Sequence, residues 1–371
     1  MGVFSRMGTV GEWQTFLEGL FPSSWAEPWD NPGLQVGDPG AQVSRVLFAL
    51  DPTLAVIEEA KAERAQLVVT HHPLVFEPLR SVDVSEPVSA VVAEAISSGV
   101  AVLACHTNAD VASPGVSDAL AWQLGLSVEG PVMATRAGGL SKVVTFVPAD
   151  AAHHLLEAMT RAGAGVIGEY DVCSFRSVGI GTFRPSASAR PTKGKRKKVN
   201  EVEEERLEMI APREKVAAVV AALREAHPYE EPAIDVVALE GVAPDIGLGR
   251  MATPANETTV GDLLQVCGER LGGSPRAVGD PTTRVSRIAV CGGSGASLAP
   301  AALSRGAQVL ITGDLKHHQA LDAVASGLCV IDAGHHATEW PWVLQVADSV
   351  AQAGGDVLVS AVETDPFGAP A

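Results

Sequence analysis

The chain has 371 residues, of which 46% are hydrophobic and 19% are charged, so it can form two or three domains with sizeable cores. Its formal net charge of −17 and its pI near 5.0 argue against nucleic acid as a partner, because phosphate backbones are bound through basic surface. No stretch approaches the ~18 apolar residues of a membrane helix, and residues 1–10 lack the apolar core of a signal peptide. These features, and five cysteines that form no CxxC pair, predict a cytoplasmic protein without a membrane partner.

The first third of the chain alternates between helices and short apolar strands. Thr9 begins a helix, and Glu12 three residues later completes a capping box. Apolar runs predict buried strands, and amphipathic runs between them predict helices. In chain order these elements are the strand Val46–Leu50, the helix Ala55–Arg64, the strand Leu67–Val69, the helix Pro87–Ser98 and the strand Val100–Ala104. Such alternation is typical of a largely parallel α/β sheet.

The last third of the chain repeats this pattern. The segment Val43–Val46 aligns with Val285–Ile288 at an offset of 242 residues, and the same offset carries Ala65–Thr70 onto Ala307–Thr312. We therefore predict two similar α/β lobes that form one discontinuous domain. Because open parallel sheets bind ligands at the carboxyl ends of their strands, the repeat predicts a site where the strand ends of both lobes meet.

Between these lobes, which we assign to residues 1–135 and 245–371, lies a unit of a different kind over residues 136–244. Its predicted strands and helices, in order, are Lys142–Val147 (strand), Ala151–Arg161 (helix), Tyr170–Phe175 and Val178–Phe183 (strands), Arg206–Ile210 (strand), Glu214–Ala226 (helix) and Ile234–Leu239 (strand). This order is typical of a ferredoxin-like α+β domain. The basic run Lys193–Lys198, followed by the acidic run Glu201–Arg206, predicts a solvated loop or an edge hairpin, with a phosphate-binding loop as the alternative.

Segments that follow strands carry the residues that favour metal chemistry. The candidate ligands are His71, His72, Asp110, His335 and Glu339. His335 and Glu339 are spaced i and i+4, so they face the same way if Thr338 lies in the first turn of a helix. Three imidazoles and two carboxylates suit two divalent ions roughly 3.5–4 Å apart that share a water and a bridging carboxylate, for which we predict Asp110. The alternative for each residue is a hydrogen-bonded polar group at a strand end.

Several longer segments occur in a characteristic order: Asp30–Gly37, Thr70–Leu74, His106–Asp110, Thr312–His318 and Gly334–Glu339. Together they closely resemble the Nif-three-like family of dinuclear metal-centre hexameric proteins, many of which are labelled GTP cyclohydrolase 1 type 2 homologues. Three further segments resemble the longer members, whose central domain is PII-like: Gly179–Pro185, His227–Pro232 and Gly247–Arg250. The resemblance covers nearly the whole chain. After Pro185, however, Ser186–Lys198 replaces the short aromatic-glycine turn of the family.

The resemblance places the metal ligands of the family on the five candidates named above. It implies two divalent ions per chain, for which zinc, iron, manganese, cobalt and nickel are all compatible. It further implies that His106 orients Asp110 or a bound water, and that the cleft is lined by candidates for substrate contact or proton transfer, namely Asp314, Lys316 and His318. The alternative for His106 and these three residues is again a satisfied polar group at a strand end.

The function that the resemblance implies is a metal-dependent hydrolase of the GTP cyclohydrolase type, in which a metal-bridging water attacks a nucleotide or related small molecule. No P-loop or phosphate-binding glycine-rich turn identifies a site for guanine nucleotide in the sequence itself. The alternative is a non-catalytic protein that stores or delivers metal, or senses a small ligand through the insert. The resemblance also implies a homohexamer, built as a trimer of dimers.

Overall fold

The computed structural model describes residues 8–135, 139–168, 170–239, 246–352 and 354–368. The chain divides into two compact units, one formed by Met1–Thr135 with Asp245–Ala371 and the other by Arg136–Pro244. Residues 1–7 lie outside the described residues. They belong to the segment 1–10, for which the sequence predicts no signal peptide. In the part of the chain that is described, no helix has the length and apolar character needed to cross a membrane.

The first unit contains a five-stranded sheet built on the strands predicted in the first third. In sheet order its strands are β1 (Gly33–Val36), β4 (Ala101–Ala104), β3 (Leu67–Thr70), β2 (Val46–Ala49) and β17 (Val357–Val359). Strands β4, β3, β2 and β17 are parallel, and β1 is antiparallel to β4 at the edge. Every residue of β2, β3 and β4 is buried, as expected for parallel strands that are covered on both faces.

A six-stranded sheet in the same unit also has a parallel centre. In sheet order its strands are β12 (Arg276–Val278), β16 (Cys329–Asp332), β15 (Val309–Thr312), β14 (Ile288–Val290), β10 (Gly247–Pro254) and β5 (Leu126–Ala134). Strands β14, β15 and β16 are parallel, and the outer strands pair antiparallel. Val46 pairs with Leu67 in the first sheet, and Ile288 pairs with Val309 in the second. Each residue of the second pair therefore lies at the predicted offset from its counterpart in the first pair. A separate two-stranded ladder joins β11 (Thr258–Thr259) to β13 (Arg284–Val285).

Helices connect the strands of both sheets, and the chain is of mixed α/β class, as predicted. In chain order the α-helices of the described residues are α1 (Val10–Leu20), α2 (Leu54–Ala62), α3 (Pro87–Ser98), α4 (Thr107–Val111), α5 (Val116–Gln123), α6 (Ala152–Arg161), α7 (Val216–Ala226), α8 (Val260–Leu271), α9 (Ala299–Ser304), α10 (His317–Ala325) and α11 (His335–Gln352). The predicted capping box is confirmed, because the backbone N–H of Glu12 donates to Thr9 Oγ1 over 3.2 Å and the N–H of Thr9 donates to Glu12 Oε2 over 2.9 Å.

The second unit contains a four-stranded antiparallel sheet. Its order is β7 (Ser174–Phe183), β8 (Asn200–Pro212), β6 (Leu140–Val147) and β9 (Ile234–Ala238). Helices α6 and α7 contribute Leu155 and Leu223 to a core that also contains Leu207 and Met209 of β8.

One detail of this unit differs from the prediction. The segments Tyr170–Phe175 and Val178–Phe183 are not separate strands, because Arg176 and Ser177 between them continue to pair with β8 as part of one strand. The acidic run Glu201–Arg206 lies within β8 and pairs with β7, so it forms one arm of a hairpin, as predicted. The basic run Lys193–Lys198 belongs to the connection before β8.

Candidate metal centre

Side chains from three strand ends approach one another in the first unit. His71 and His72 come directly after β3, and Asp110 lies on α4, which begins three residues after β4. His335 is the first residue of α11, which begins three residues after β16, and Glu339 lies one turn further along this helix. The helix confirms the predicted i and i+4 arrangement of His335 and Glu339. The carboxyl ends of parallel strands therefore supply the ligands, as expected for α/β sheets.

The ligand atoms of these residues lie close enough to share metal ions. Within the described residues they form three overlapping groups, in each of which the ligand atoms lie within 4.8 Å of one another: His71, His72 and His106; His72, His335 and Glu339; His71, Asp110 and Glu339. We call the five predicted ligands His71, His72, Asp110, His335 and Glu339 the metal-ligand cluster. The structure brings all five together, and His106 joins them.

Glu339 occupies the centre of the metal-ligand cluster. Its Oε1 lies 3.5 Å from His71 Nε2, and its Oε2 lies 3.1 Å from the Nε2 atoms of both His72 and His335. Asp110 Oδ1 lies 3.7 Å from His71 Nε2. Glu339 therefore approaches all three of these histidines, whereas Asp110 approaches His71. That Asp110 bridges two ions stays a prediction.

Each imidazole presents Nε2 to the cluster because its Nδ1 is held by another group. The contacts of the Nδ1 atoms are His71 with the Cys105 carbonyl oxygen (2.9 Å), His72 with Asp51 Oδ1 (2.7 Å), His106 with Asp30 Oδ1 (2.8 Å) and His335 with Asp314 Oδ2 (2.7 Å). A backbone carbonyl only accepts, so Nδ1 of His71 donates, and Nε2 of the neutral ring carries the lone pair. Partners of this kind orient metal-binding histidines in proteins.

The buried polar atoms of the cluster fit a bound cation. His71 is fully buried, and neither His71 Nε2 nor Glu339 Oε2 makes a hydrogen bond within the described residues. A nitrogen lone pair that faces a carboxylate oxygen is repulsive unless a proton or a metal ion lies between them. Metal–ligand bonds of about 2.0–2.2 Å place neighbouring ligand atoms roughly 3.0–3.4 Å apart. The closest approaches to Glu339 fall in this range.

Without a metal ion, the cluster attracts protons to the same nitrogen atoms. Burial lowers the pKa of His72, but the carboxylates of Asp51 and Glu339 outweigh burial and raise this pKa to about 10. The nearby Glu339 carboxylate is the main reason that the pKa of His335 rises to about 9. Burial raises the pKa of the Asp110 carboxyl. For Glu339, burial acts in the same direction, but the surrounding imidazoles outweigh it and hold the pKa well below its usual range. The pocket thus favours positive charge.

Backbone geometry closes the site around Glu339 and His335. Gly293 has a φ of +60°, and a side chain at this position would clash with the Glu339 carboxylate. Asp314 has a φ of 55°, which is unusual for a residue other than glycine. This conformation places the Asp314 carboxylate beside His335 Nδ1, at 2.7 Å. Asp314 therefore orients the His335 ring, and its role in substrate contact or proton transfer stays a prediction.

The remaining predicted candidates are placed differently. Lys316 precedes α10, where its backbone N–H donates to Gln319 Oε1, and His318 is exposed with a ring contact to His317. Among the described residues, neither Lys316 nor His318 contacts the metal-ligand cluster, and their roles stay predictions.

Sequence reasoning missed two carboxylates, Asp30 and Asp51, that orient histidines. Asp51 lies two residues after β2, so the strand-end argument that identified the ligands would also have identified it. Asp30 lies in the Asp30–Gly37 segment, which resembles the family but carries no local pattern that predicts a contact with His106.

Comparisons with known proteins agree with this architecture. The family model of DUF34/NIF3 (NGG1p interacting factor 3) matches residues 9–366. A Mycobacterium leprae protein named GTP cyclohydrolase 1 type 2 homolog is 40% identical over 361 residues, which cover 95% of this chain and 93% of that protein. The Bacillus subtilis protein of the same name is 36% identical over 357 residues, which cover 95% of this chain and 96% of its own.

A solved structure supports the same assignment. The crystal structure of a Bacillus cereus protein related to NIF3 matches with a TM-score of 0.79 and 35% sequence identity, and the match covers 98% of this chain and 99% of that one. The family model and these relatives span both units rather than one of them. The chain therefore belongs to the DUF34/NIF3 family.

Proposed function

We propose that this chain is a metal-dependent hydrolase that acts on a nucleotide or a related small molecule at the metal-ligand cluster. The observation that carries the proposal is the buried His71 Nε2, which has no hydrogen-bond partner within the described residues and lies 3.5 Å from Glu339 Oε1. The other oxygen, Glu339 Oε2, lies 3.1 Å from Nε2 of both His72 and His335. The name shared by the relatives, GTP cyclohydrolase 1 type 2 homolog, points to a guanine nucleotide as the first substrate to test.

We propose two divalent ions per chain. The five side chains of the metal-ligand cluster are more than the four ligands that one zinc ion takes, and Glu339 directs one oxygen to His71 and the other to His72 and His335. One ion would be held by His71, Asp110 and Glu339, and the second by His72, His335 and Glu339. Zinc, iron, manganese, cobalt and nickel all suit this mixture of imidazole and carboxylate. Bound divalent ions supply Lewis-acid activation of water and substrate.

The side chains of the protein would then orient ligands and handle protons. Asp51 and Asp314 fix the rings of His72 and His335. His106 is fixed by Asp30, and its ring centroid lies 5.2 Å from that of His71. Because His106 lies at the margin of the cluster, we assign to its Nε2 the task of holding or moving a proton during hydrolysis.

Two exposed aromatic rings beside His106 support a flat heterocycle as the substrate. Trp29 is 57% exposed and Phe76 is 50% exposed. Their ring centroids lie 5.6 Å apart, and those of Trp29 and His106 lie 6.0 Å apart. Exposed aromatic rings next to a reactive site suit stacking with a nucleobase, which is worth about 1–3 kcal/mol per base.

The test combines metal content with turnover. We expect about two divalent ions per wild-type chain by mass spectrometry, and release of formate when the loaded protein is given GTP. Asp110→Asn should lower both, because the amide is a poor metal ligand. The matched control is Asp322→Asn, the same change at an exposed position of α10 away from the cluster.

The outcomes separate the hydrolase from the alternative. The proposal would be contradicted by a wild-type protein that is folded but does not bind zinc, iron or manganese. Bound metal without turnover on GTP or other nucleotides would favour the non-catalytic alternative, a protein for metal storage, metal delivery or ligand sensing.

We also propose that the two sheets of the first unit are the two similar lobes, that the unit 136–244 is PII-like, and that the chain assembles as a homohexamer. The lobe proposal is supported by the equal register of the pairs Val46–Leu67 and Ile288–Val309. The hexamer is tested by light scattering after gel filtration. A mass of six chains of 38.4 kDa is expected, and a monomer would contradict it.

A further inference from the structure

The unit 136–244 contains a cavity of about 650 Å³ that plays no part in the metal chemistry. The cavity lies on its four-stranded sheet and is lined only by residues of that unit. We propose that it is a second ligand site, which binds a small molecule with a flat apolar body and a cationic N–H head such as an amidinium or guanidinium group. Its volume is in the usual range for small-molecule sites. The proposal does not depend on the hydrolase function.

Two glycines leave the floor of the cavity open. Gly179 of β7 pairs with Glu204 of β8, so a side chain at residue 179 would point to the same face as Glu204. A Cβ atom added at Gly179 would meet no other atom within 4 Å, so this space is free. A Cβ atom at Gly181 would clash with Glu204 Oε2, so the carboxylate takes the place that a side chain would fill.

Glu204 is the polar group that the cavity leaves without a full set of partners. The residue is only 8% exposed. Tyr229 donates its phenolic O–H to Glu204 Oε1 over 2.7 Å. Glu204 Oε2 has no hydrogen-bond or ion-pair partner in the described parts of the chain. A carboxylate oxygen that faces an open cavity can accept a further hydrogen bond, and a charged N–H group is the strongest donor for it.

Aromatic rings provide the apolar walls. Phe146 and Phe183 line the cavity together with Tyr229. The position of Tyr229 is fixed by His227, whose Nδ1 accepts a hydrogen bond from the backbone N–H of Tyr229 over 3.1 Å. Burial and the Glu204 carboxylate both raise the pKa of Tyr229, so its hydroxyl remains a donor to Glu204. Flat aromatic walls around a fixed carboxylate suit a planar ligand with one charged end.

The connection after β7 lines the cavity and is hydrogen-bonded to the loop that carries Tyr229. The backbone N–H of Arg190 donates to Glu230 Oε1 over 2.8 Å, and Thr192 Oγ1 donates to the Pro228 carbonyl oxygen over 2.7 Å. These bonds join the segment that departs from the family pattern to the loop that carries Tyr229. The departure therefore builds one wall of the site.

Charge pairing at the rim favours a cation over an anion. Arg206 Nε lies 2.7 Å from Glu208 Oε1, and Lys193 Nζ lies 4.0 Å from Asp150 Oδ1, so both basic groups have acidic partners. Arg184 is exposed to solvent. The deepest charged group in the cavity is the carboxylate of Glu204. An anionic ligand would place like charge against it.

Calorimetric titration of the full chain with benzamidine tests the proposal, because benzamidine joins a flat apolar ring to an amidinium. We expect binding to the wild-type protein, and binding that is about tenfold weaker to Glu204→Gln because a charge-assisted hydrogen bond is lost. The matched control is Glu203→Gln, the same change at the neighbouring exposed residue, which should bind as the wild type does.

A second variant, Gly179→Leu, fills the cavity and should abolish the heat of binding whether or not Glu204→Gln folds. Equal affinity in Glu204→Gln and in the wild type would overturn the proposal, as would the absence of binding at about 10 mM benzamidine. Benzoate is the anionic counterpart. Benzoate could bind with the same affinity as benzamidine and lose that binding in Gly179→Leu. This result would show that the basic rim selects the ligand, and it would also overturn the proposal.

Discussion

Asp51 shows at the residue scale how much of a metal site lies outside its ligands. Its Oδ1 contacts His72 Nδ1 at 2.7 Å, and its Oδ2 accepts a hydrogen bond from Thr364 Oγ1 over 2.6 Å. Thr364 thereby fixes the carboxylate, and the carboxylate fixes the imidazole. The tautomer and the direction of His72 are set two contacts away from any ion.

Removal of this carboxylate should weaken metal binding without removing a ligand. For Asp51→Ala we expect a loss of zinc affinity of about 10–100-fold, because the His72 ring loses its orientation and its basicity. Competition titration with a chelator of known affinity measures the loss. Asp51→Asn keeps an acceptor oxygen and should lose less. Equal affinity in Asp51→Ala and the wild type would show that Asp51 has no part in the site.

Sequence alone predicted the five side chains that the structure brings together, but not the carboxylates that orient them. His71, His72 and His335 could be predicted because each directly follows a strand or begins a helix, and such positions are readable in the chain. Asp30 could not be assigned a role, because its contact with His106 joins residues 76 positions apart. The central position of Glu339 depends on how α11 brings it close to His71 and His72, which no local pattern encodes.

At the scale of elements, the short apolar strands were predictable because β2, β3 and β4 are buried along their whole length. Their predicted and observed bounds differ by one residue at most. Strand β7 was predicted as two pieces because exposed polar residues interrupt its apolar pattern. Pairing with β8 continues through them, so tertiary hydrogen bonding overrides the local signal. The Glu204 cavity could not be predicted either, because its floor is formed by the pairing of β7 with β8, which no local sequence pattern shows.

The capping box of α1 allows a direct test of an element that the sequence predicted correctly. Thr9→Ala should lower the free energy of unfolding by about 1 kcal/mol, because the N–H of Glu12 loses its acceptor. Urea denaturation measures the change. Thr9→Ser keeps the hydroxyl and should stay close to the wild type, and a loss of equal size in both variants would rule out the hydroxyl as the cause.

A buried ion pair connects β10 with α5 in the first unit. Arg250 is 1% exposed, its Nη2 lies 2.8 Å from Asp118 Oδ2, and its Nη1 donates to the carbonyl oxygens of Gly247 and Gly249. Arg250→Met should destabilise the unit by about 3–5 kcal/mol, because Asp118 would remain buried and unpaired.

Denaturation of paired variants tests this account of Arg250. Adding Asp118→Asn to Arg250→Met should recover part of the loss, since the amide removes the unpaired charge but still accepts from the N–H of Gly115. The control is Arg284→Met, which removes an arginine whose contact with Glu257 is exposed to solvent and should cost little. A double variant that is no more stable than Arg250→Met would contradict the account.

At the scale of the whole molecule, one proposed ion would link His72 with His335, which are 263 positions apart. Ligands that bind only the folded state stabilise it, by about 2.7 kcal/mol at a free concentration one hundred times the dissociation constant. Dialysis against a chelator should therefore lower the melting temperature measured by calorimetry, and added zinc should restore it. Glu339→Gln should respond weakly to both treatments. An unchanged wild-type melting temperature after confirmed metal removal would contradict the link.

The place where residues 136–244 leave the first unit has a consequence for how such chains vary. Strands β5 and β10 are antiparallel neighbours, and Ala134 at the end of one pairs with Gly247 at the start of the other. The unit 136–244 is therefore the connection between two neighbouring antiparallel strands of the six-stranded sheet, in the place where a hairpin turn would stand. Lengthening a connection that is already long costs little free energy, so the pairing of β5 with β10 tolerates a large insertion there. Lineages can enlarge, exchange or delete this module while the strand ends that carry the histidines keep their positions.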